Sequence, residues 1–155
     1  MSPGAATVLF RTLPLTVELT AKEKRVIRSF ARTLSVRIAN RRPFTCVISD
    51  DSELRRLNHA FRGRDYSTDI LSFPSQQSVR DMGDMIISAE AAEAQARQFG
   101  HGRTDEIRIL MLHGLLHLAG MDHERDRGQM AGAERKWRQR LGLPLTVIAR
   151  ATRRG

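Results

Sequence analysis

The sequence predicts an α+β domain, a small mixed sheet of about four strands packed by about five helices around a central buried helix. Three observations point there. Short β-branched runs alternate with helical periodicities along the chain. The segment TDEIRILMLHGLLHLAG is apolar on nearly every face, as a helix in the middle of a domain must be. The chain has 155 residues, 41% of them hydrophobic, which suffices for one core without disulfide staples. No repeat or low-complexity linker divides it, so residues 1–155 read as a single domain with a frayed basic tail at 148–155.

The elements follow in order. Residues 7–19 read as a strand, TVLF and LTVEL around Pro14. Thr20 and Glu23 have the spacing of a capping box, and Ile27, Phe30, Ala31, Leu34 and Ile38 then recur at helical spacing. FTCVIS at 44–49 is a buried strand by its β-branched and aromatic content. DDSELRRLNHAFR opens on Asp caps and sets Leu54, Leu57 and Phe61 on one face of a short helix. DILSFP (69–74) and DMIIS (84–88) are two more strands, joined by the polar loop SQQSVRDMG. SAEAAEAQARQFG is a helix capped by Ser88 and stopped by Gly100. After the apolar helix, a last one runs from about Asp126 to Leu141 and is closed by Gly142 and Pro144.

Composition narrows the function classes. Lys and Arg number 26 against 17 Asp and Glu, a formal charge of +9, and all but Lys22, Lys24 and Lys136 of those cations are arginines. Guanidinium groups pair bidentately with phosphate and stack on bases, so the balance favours a polyanionic partner; an arginine-rich genome would give the same excess without a ligand. The lone Cys46 excludes an intramolecular disulfide and fits a reducing compartment. The most apolar run, ILMLHGLLHLAGM, is too short to span a bilayer, and the N-terminus lacks a basic region followed by a long apolar one. The expectation is a cytoplasmic protein without a membrane partner.

The chemistry lies in HGLLHLAGMDH. His113 and His117 are four apart on a helix, hence on one face a turn apart. Gly120 stands where that helix should end and can adopt the left-handed conformation that turns the chain back, bringing His123 toward the first two. The pattern H-x3-H-x2-G-x2-H then supplies three convergent nitrogens and leaves a position open, as in a catalytic zinc site. The alternative is that Gly120 only caps a core helix whose histidines hydrogen-bond locally. That would require a partner for each buried imidazole. Asp122 and Glu124 flank the third histidine, placed either to orient a ring or to sit solvated. The spacing is also that of metzincin proteases, in which a glutamate general base follows the first histidine; here that position is Gly114. A phosphodiester substrate instead needs a metal and positive side chains, and the chain is rich in the latter.

Three blocks carry a resemblance. HGLLHLAGMDH resembles the H-G-x-L-H-L-x-G-x-D-H signature of the YbeY family of endoribonucleases, LNHAFRGRDYSTDILSFP (57–74) is similar to its arginine-bearing block, and MGDMIIS (82–88) to a third. They come in the family's order over about 44–142. The resemblance implies a metal-dependent, single-strand-specific endoribonuclease of small-subunit (16S) rRNA 3′-end maturation and ribosome quality control. Its substrate would be single-stranded RNA, its partners the ribosome or small-subunit proteins, and DNA is not expected. On the matching positions it implies one Zn2+ held by His113, His117 and His123, with Arg62 as the functional arginine beside it. Thr68 and Asp69 match a T-D pair better read as structural support. Two positions depart from the pattern: Met121 replaces a bulky polar-tipped residue, and ERDRGQMAGAERKWRQR after His123 is basic where the family carries acids. A ribosome-binding assembly factor with a structural metal is the competing reading; a metalloprotease is disfavoured by Gly114.

Overall fold

A computed structural model describes residues 6–63, 68–76, 78, 80–122 and 125–145. The elements run β1 (Ala6–Phe10), α1 (Ala21–Arg37), β2 (Phe44–Ser49), α2 (Asp51–Arg62), β3 (Ile70–Pro74), β4 (Gly83–Ser88), α3 (Ala89–Phe99), α4 (Arg103–Leu118) and α5 (Gln129–Arg140). This is the predicted α+β domain, with a four-stranded sheet in the order β1-β2-β4-β3. β1, β2 and β4 are parallel, and β3 runs antiparallel on the β4 edge.

Side-chain alternation gives the sheet two packed faces. Phe44, Cys46, Ile48, Met85, Ile87 and Ile70 belong to the main core cluster, together with Ile107 and Ile109–Leu112 of α4 and Ile27, Phe30 and Leu34 of α1. Val47, Ile86 and Leu71 stand side by side in register on the opposite face. α2 lies against β3 and β4, and its Leu54 is fully buried. α4 rests on β3 and β4 with α1 and α3 beside it, and it is buried from Ile109 through Leu116, as its all-round apolar sequence predicts.

Three local readings change. The first strand stops at Phe10, and Leu15–Val17 form a single 3-10 turn with Val17 N donating to Pro14 O at 3.0 Å. Pro14 has no N–H for a ladder and its fixed φ starts a turn. Phe61, placed by periodicity on the buried face of α2, is 68% exposed and meets Phe73 edge to face, with centroids 5.5 Å apart. Near the end of a short helix the apolar stripe has outrun the sheet beneath it. The last helix begins at Gln129 because Gly128 has φ +95, and Asp126 caps it by accepting from Gly128 N and Met130 N. The predicted frayed tail lies outside the described residues.

Candidate metal centre

α4 presents His113 and His117 one turn apart. His113 is buried and His117 half-buried, so the pair leads from the core outward. Their Nε2 atoms face each other at 3.1 Å, with the rings edge to face. On its other side, His113 Nδ1 is hydrogen-bonded to Oε1 of Glu134 from α5. A carboxylate accepts, so Nδ1 of His113 donates to Glu134 and the ring is oriented with Nε2 toward His117. The second oxygen of Glu134 accepts from Arg138 at 3.2 Å, and both side chains are largely buried.

These atoms fit a metal ion. Zinc–imidazole bonds of about 2.0–2.1 Å at tetrahedral angles separate neighbouring nitrogens by about 3.3 Å, close to the spacing here. A carboxylate behind a ligand histidine fixes its tautomer and raises its basicity. His123, the third expected ligand, lies outside the described residues, as does Glu124. Among the described residues no group of three or more His, Cys, Asp or Glu side chains converges.

The turn out of α4 has a Schellman geometry. Gly120 takes φ +95, Gly120 N donates to His117 O at 2.9 Å, and Met121 N donates to Leu116 O at 3.0 Å. Asp122 pairs with Arg125 at 3.6 Å at the surface. Gly114 answers the protease question sterically. A Cβ there would lie 2.7 Å from Ile70 Cδ1 and 2.9 Å from Met85 Sδ, so α4 sits directly on the sheet where that mechanism needs a glutamate. Arg62 is the last residue of α2, whose chain direction then changes at Gly63 with φ +67. Asp69 is buried and its carboxylate accepts from Gln95 of α3 at 3.1 Å, a brace between β3 and α3.

Glu134, which braces His113, is a site residue that the sequence reading does not name; there Asp122 and Glu124 are read as either orienting a ring or solvated. A signal was present. In QMAGAERKWRQR it is the lone acid, four residues from buried Met130 and four from buried Arg138, hence on the inward face of a basic helix.

Comparison with known proteins places the chain in a family. Residues 14–142 match the family model described as Endoribonuclease YbeY. The chain belongs to the endoribonuclease YbeY family. An Endoribonuclease YbeY from Solibacter usitatus (strain Ellin6076) is 51% identical over 149 residues, covering 96% of this chain and 97% of its own. The YbeY of Nautilia profundicola (strain ATCC BAA-1463 / DSM 18972 / AmH) is 45% identical over 67% of this chain and 76% of its own. The solution structure of TM1509 from Thermotoga maritima shares the fold, with a TM-score of 0.60 and 24% identity over 85% of each chain. The stretch matched to YbeY contains Arg62, all three histidines of the motif and Glu134.

Proposed function

We propose that this chain is a zinc-dependent, single-strand-specific endoribonuclease that acts in the cytoplasm on the 3′ end of 16S rRNA and in ribosome quality control. The observation that carries the proposal is the pair of Nε2 atoms 3.1 Å apart with Glu134 fixing one ring, within a chain of the YbeY family. His113, His117 and His123 would hold the ion, and residues 1–155 would work as one domain. Zinc bound by these histidines would supply Lewis-acid chemistry toward the phosphodiester. Glu134, hydrogen-bonded to Nδ1 of His113, would orient the ring so that Nε2 faces the site. Arg62, at the end of α2, would grip a phosphate and offset the charge that develops on it. Single-stranded rRNA is the substrate class, with the small ribosomal subunit its setting. The basic composition supports this partner. Among the described residues no helix is long and apolar enough to cross a membrane.

The test is cleavage of a labelled single-stranded rRNA 3′-end fragment by wild type, His117→Ala and Arg62→Ala, with zinc content measured on the same preparations. Wild type should cut. His117→Ala should lose both zinc and cutting, and Arg62→Ala should keep zinc while slowing by about 10²–10³-fold. Equal cutting by all three would mean a contaminating nuclease. A zinc-loaded wild type that binds ribosomes but does not cut would leave an assembly factor with a structural metal.

A further inference from the structure

We propose that the groove between α1, the N-terminal half of α4 and the end of α5 is a second binding site for an RNA backbone, separate from the histidine centre. The proposal rests on the RNA-substrate reading above and adds where a second stretch of the same strand is held. The groove encloses about 500 Å³. One wall is a ridge of α1 in which Arg25, Ser29, Thr33 and Arg37 recur every fourth residue, about 18 Å from end to end. Arg108 of α4 and Arg140 of α5 form the facing wall, and Phe30 contributes apolar floor.

The groove gathers several arginines without an acid among them. Outside it, a number of arginines face acids: Arg11 and Arg56 meet Glu53, Arg97 meets Glu93, Arg103 meets Glu23, and Arg138 meets Glu134. Among the described residues, Arg25, Arg37 and Arg140 have no carboxylate partner, and no acid lines the groove. Arg108 shares Asp105, yet its buried Nε–H has no acceptor among the described residues. A donor withdrawn from water and left without an acceptor is a standing cost that an anionic oxygen removes.

An aromatic side chain completes the arrangement. Trp137, the chain's single tryptophan, is half-buried on α5 with Arg37 and Arg140 at 5.6 and 5.5 Å from its ring and Lys136 at 5.3 Å. A cationic track beside an aromatic face is how proteins hold single-stranded nucleic acid without reading its sequence, through phosphate contacts and base stacking. An acidic peptide would use the cations but not the ring, so RNA is the better fit.

The groove is not part of the histidine centre. Arg108 and His117 are nine positions apart on α4, which at about 100° per residue sets them on opposite sides of the helix. RNA held at both places must pass around α4 and α5. Only a strand long enough to reach both gains the avidity of two contacts.

The experiment uses the full, zinc-loaded chain and an Arg25→Ala/Arg140→Ala variant, two exposed positions whose removal leaves the core untouched. Binding of single-stranded 2′-O-methyl RNA is followed by anisotropy and by Trp137 fluorescence, with oligomers of about 6 and about 20 nucleotides. Expected are quenching of Trp137 by the long oligomer and at least a tenfold loss of long-oligomer affinity in the variant. The variant's slope of log affinity against log salt should be shallower by about 1.4, for two lost phosphate contacts. Zinc content and cleavage of a short fragment should match wild type. Equal long-oligomer affinity and salt slope in both proteins would overturn the second site while leaving the nuclease reading intact. Quenching of Trp137 by a poly-glutamate peptide but not by RNA would overturn it in favour of an acidic protein partner. Wild type that neither binds nor cuts either RNA would remove the underlying reading itself.

Discussion

Gly83 opens β4 with φ +119, and a Cβ there would lie 2.2 Å from Phe73 O, 2.7 Å from Ser75 N and 2.9 Å from Pro74 Cα. All three are backbone atoms of the neighbouring strand or the turn after it, so nothing can rotate away. Gly114 is crowded differently: its nearest neighbours are the tips of Ile70 and Met85, which can shift, and alanine also recovers helix propensity. Gly83→Ala should therefore lower stability by about 2–4 kcal/mol, and Gly114→Ala by about 1 kcal/mol. Urea midpoints on the two variants check the order. A Gly83→Ala protein as stable as wild type would mean that the β3–β4 edge yields to a methyl group. Neither requirement is legible in sequence, because each depends on which atoms of a distant strand or helix come to rest against the glycine. The histidine spacing, by contrast, is a within-helix property and was legible at once. So was the left-handed Gly120, since its position at the end of an apolar run needs no tertiary partner to interpret.

At the scale of elements, the helix caps were legible because they are local. Thr20 accepts from Glu23 N at 3.1 Å and Glu23 accepts from Thr20 N at 2.9 Å, as the capping box predicts. The sequence does not reveal that Glu23 also receives Arg103 Nε and Nη2, each at 2.8 Å, which ties the start of α1 to the start of α4. That forked hydrogen bond, with smaller help from Thr20 N, Arg103's charge and Thr104, outweighs burial and lowers the Glu23 carboxyl to about 2. The folded value lies below the unfolded one, so the stabilisation is complete above about pH 4.5 and is lost as pH falls through about 2. Its size after solvent screening is about 1–2 kcal/mol. Glu23→Gln should be less stable than wild type by that amount at pH 7, and the gap should close between pH 4.5 and pH 2. Urea midpoints across that range decide it: a constant gap would mean that the cap's geometry, not the carboxylate charge, does the stabilising. The first strand and the start of the last helix were misjudged for a related reason. Pro14 and Gly128 are breakers whose effect depends on whether a neighbouring strand or an Asp126 cap is there to receive the chain.

Across the whole molecule the charges divide by task. The histidine centre draws its carboxylate from α5, while the groove lined by Arg25, Arg37, Arg108 and Arg140 lies on the far side of α4. Of the candidate site, the histidine pair on α4 follows from periodicity and His123 from the spacing around Gly120. Arg62 rests on motif resemblance, and Glu134 emerges only once α5 is folded against α4. A formal charge of +9 predicts how the intact protein meets RNA. If about four phosphates of a single strand are neutralised, log affinity should fall with log salt at a slope near −2.8, or roughly 50-fold between 50 and 200 mM. The slope is diagnostic where the affinity itself is not, because any base stacking on Trp137 or Phe61 would add binding that salt hardly alters. A long single strand that occupies both the histidine centre and the arginine groove should show the full slope. A short one confined to the histidine centre should show a shallower slope, by about 0.7 for each groove contact it cannot make. A flat response for both lengths would mean that the arginine excess is compositional and that no phosphate backbone lies along this surface.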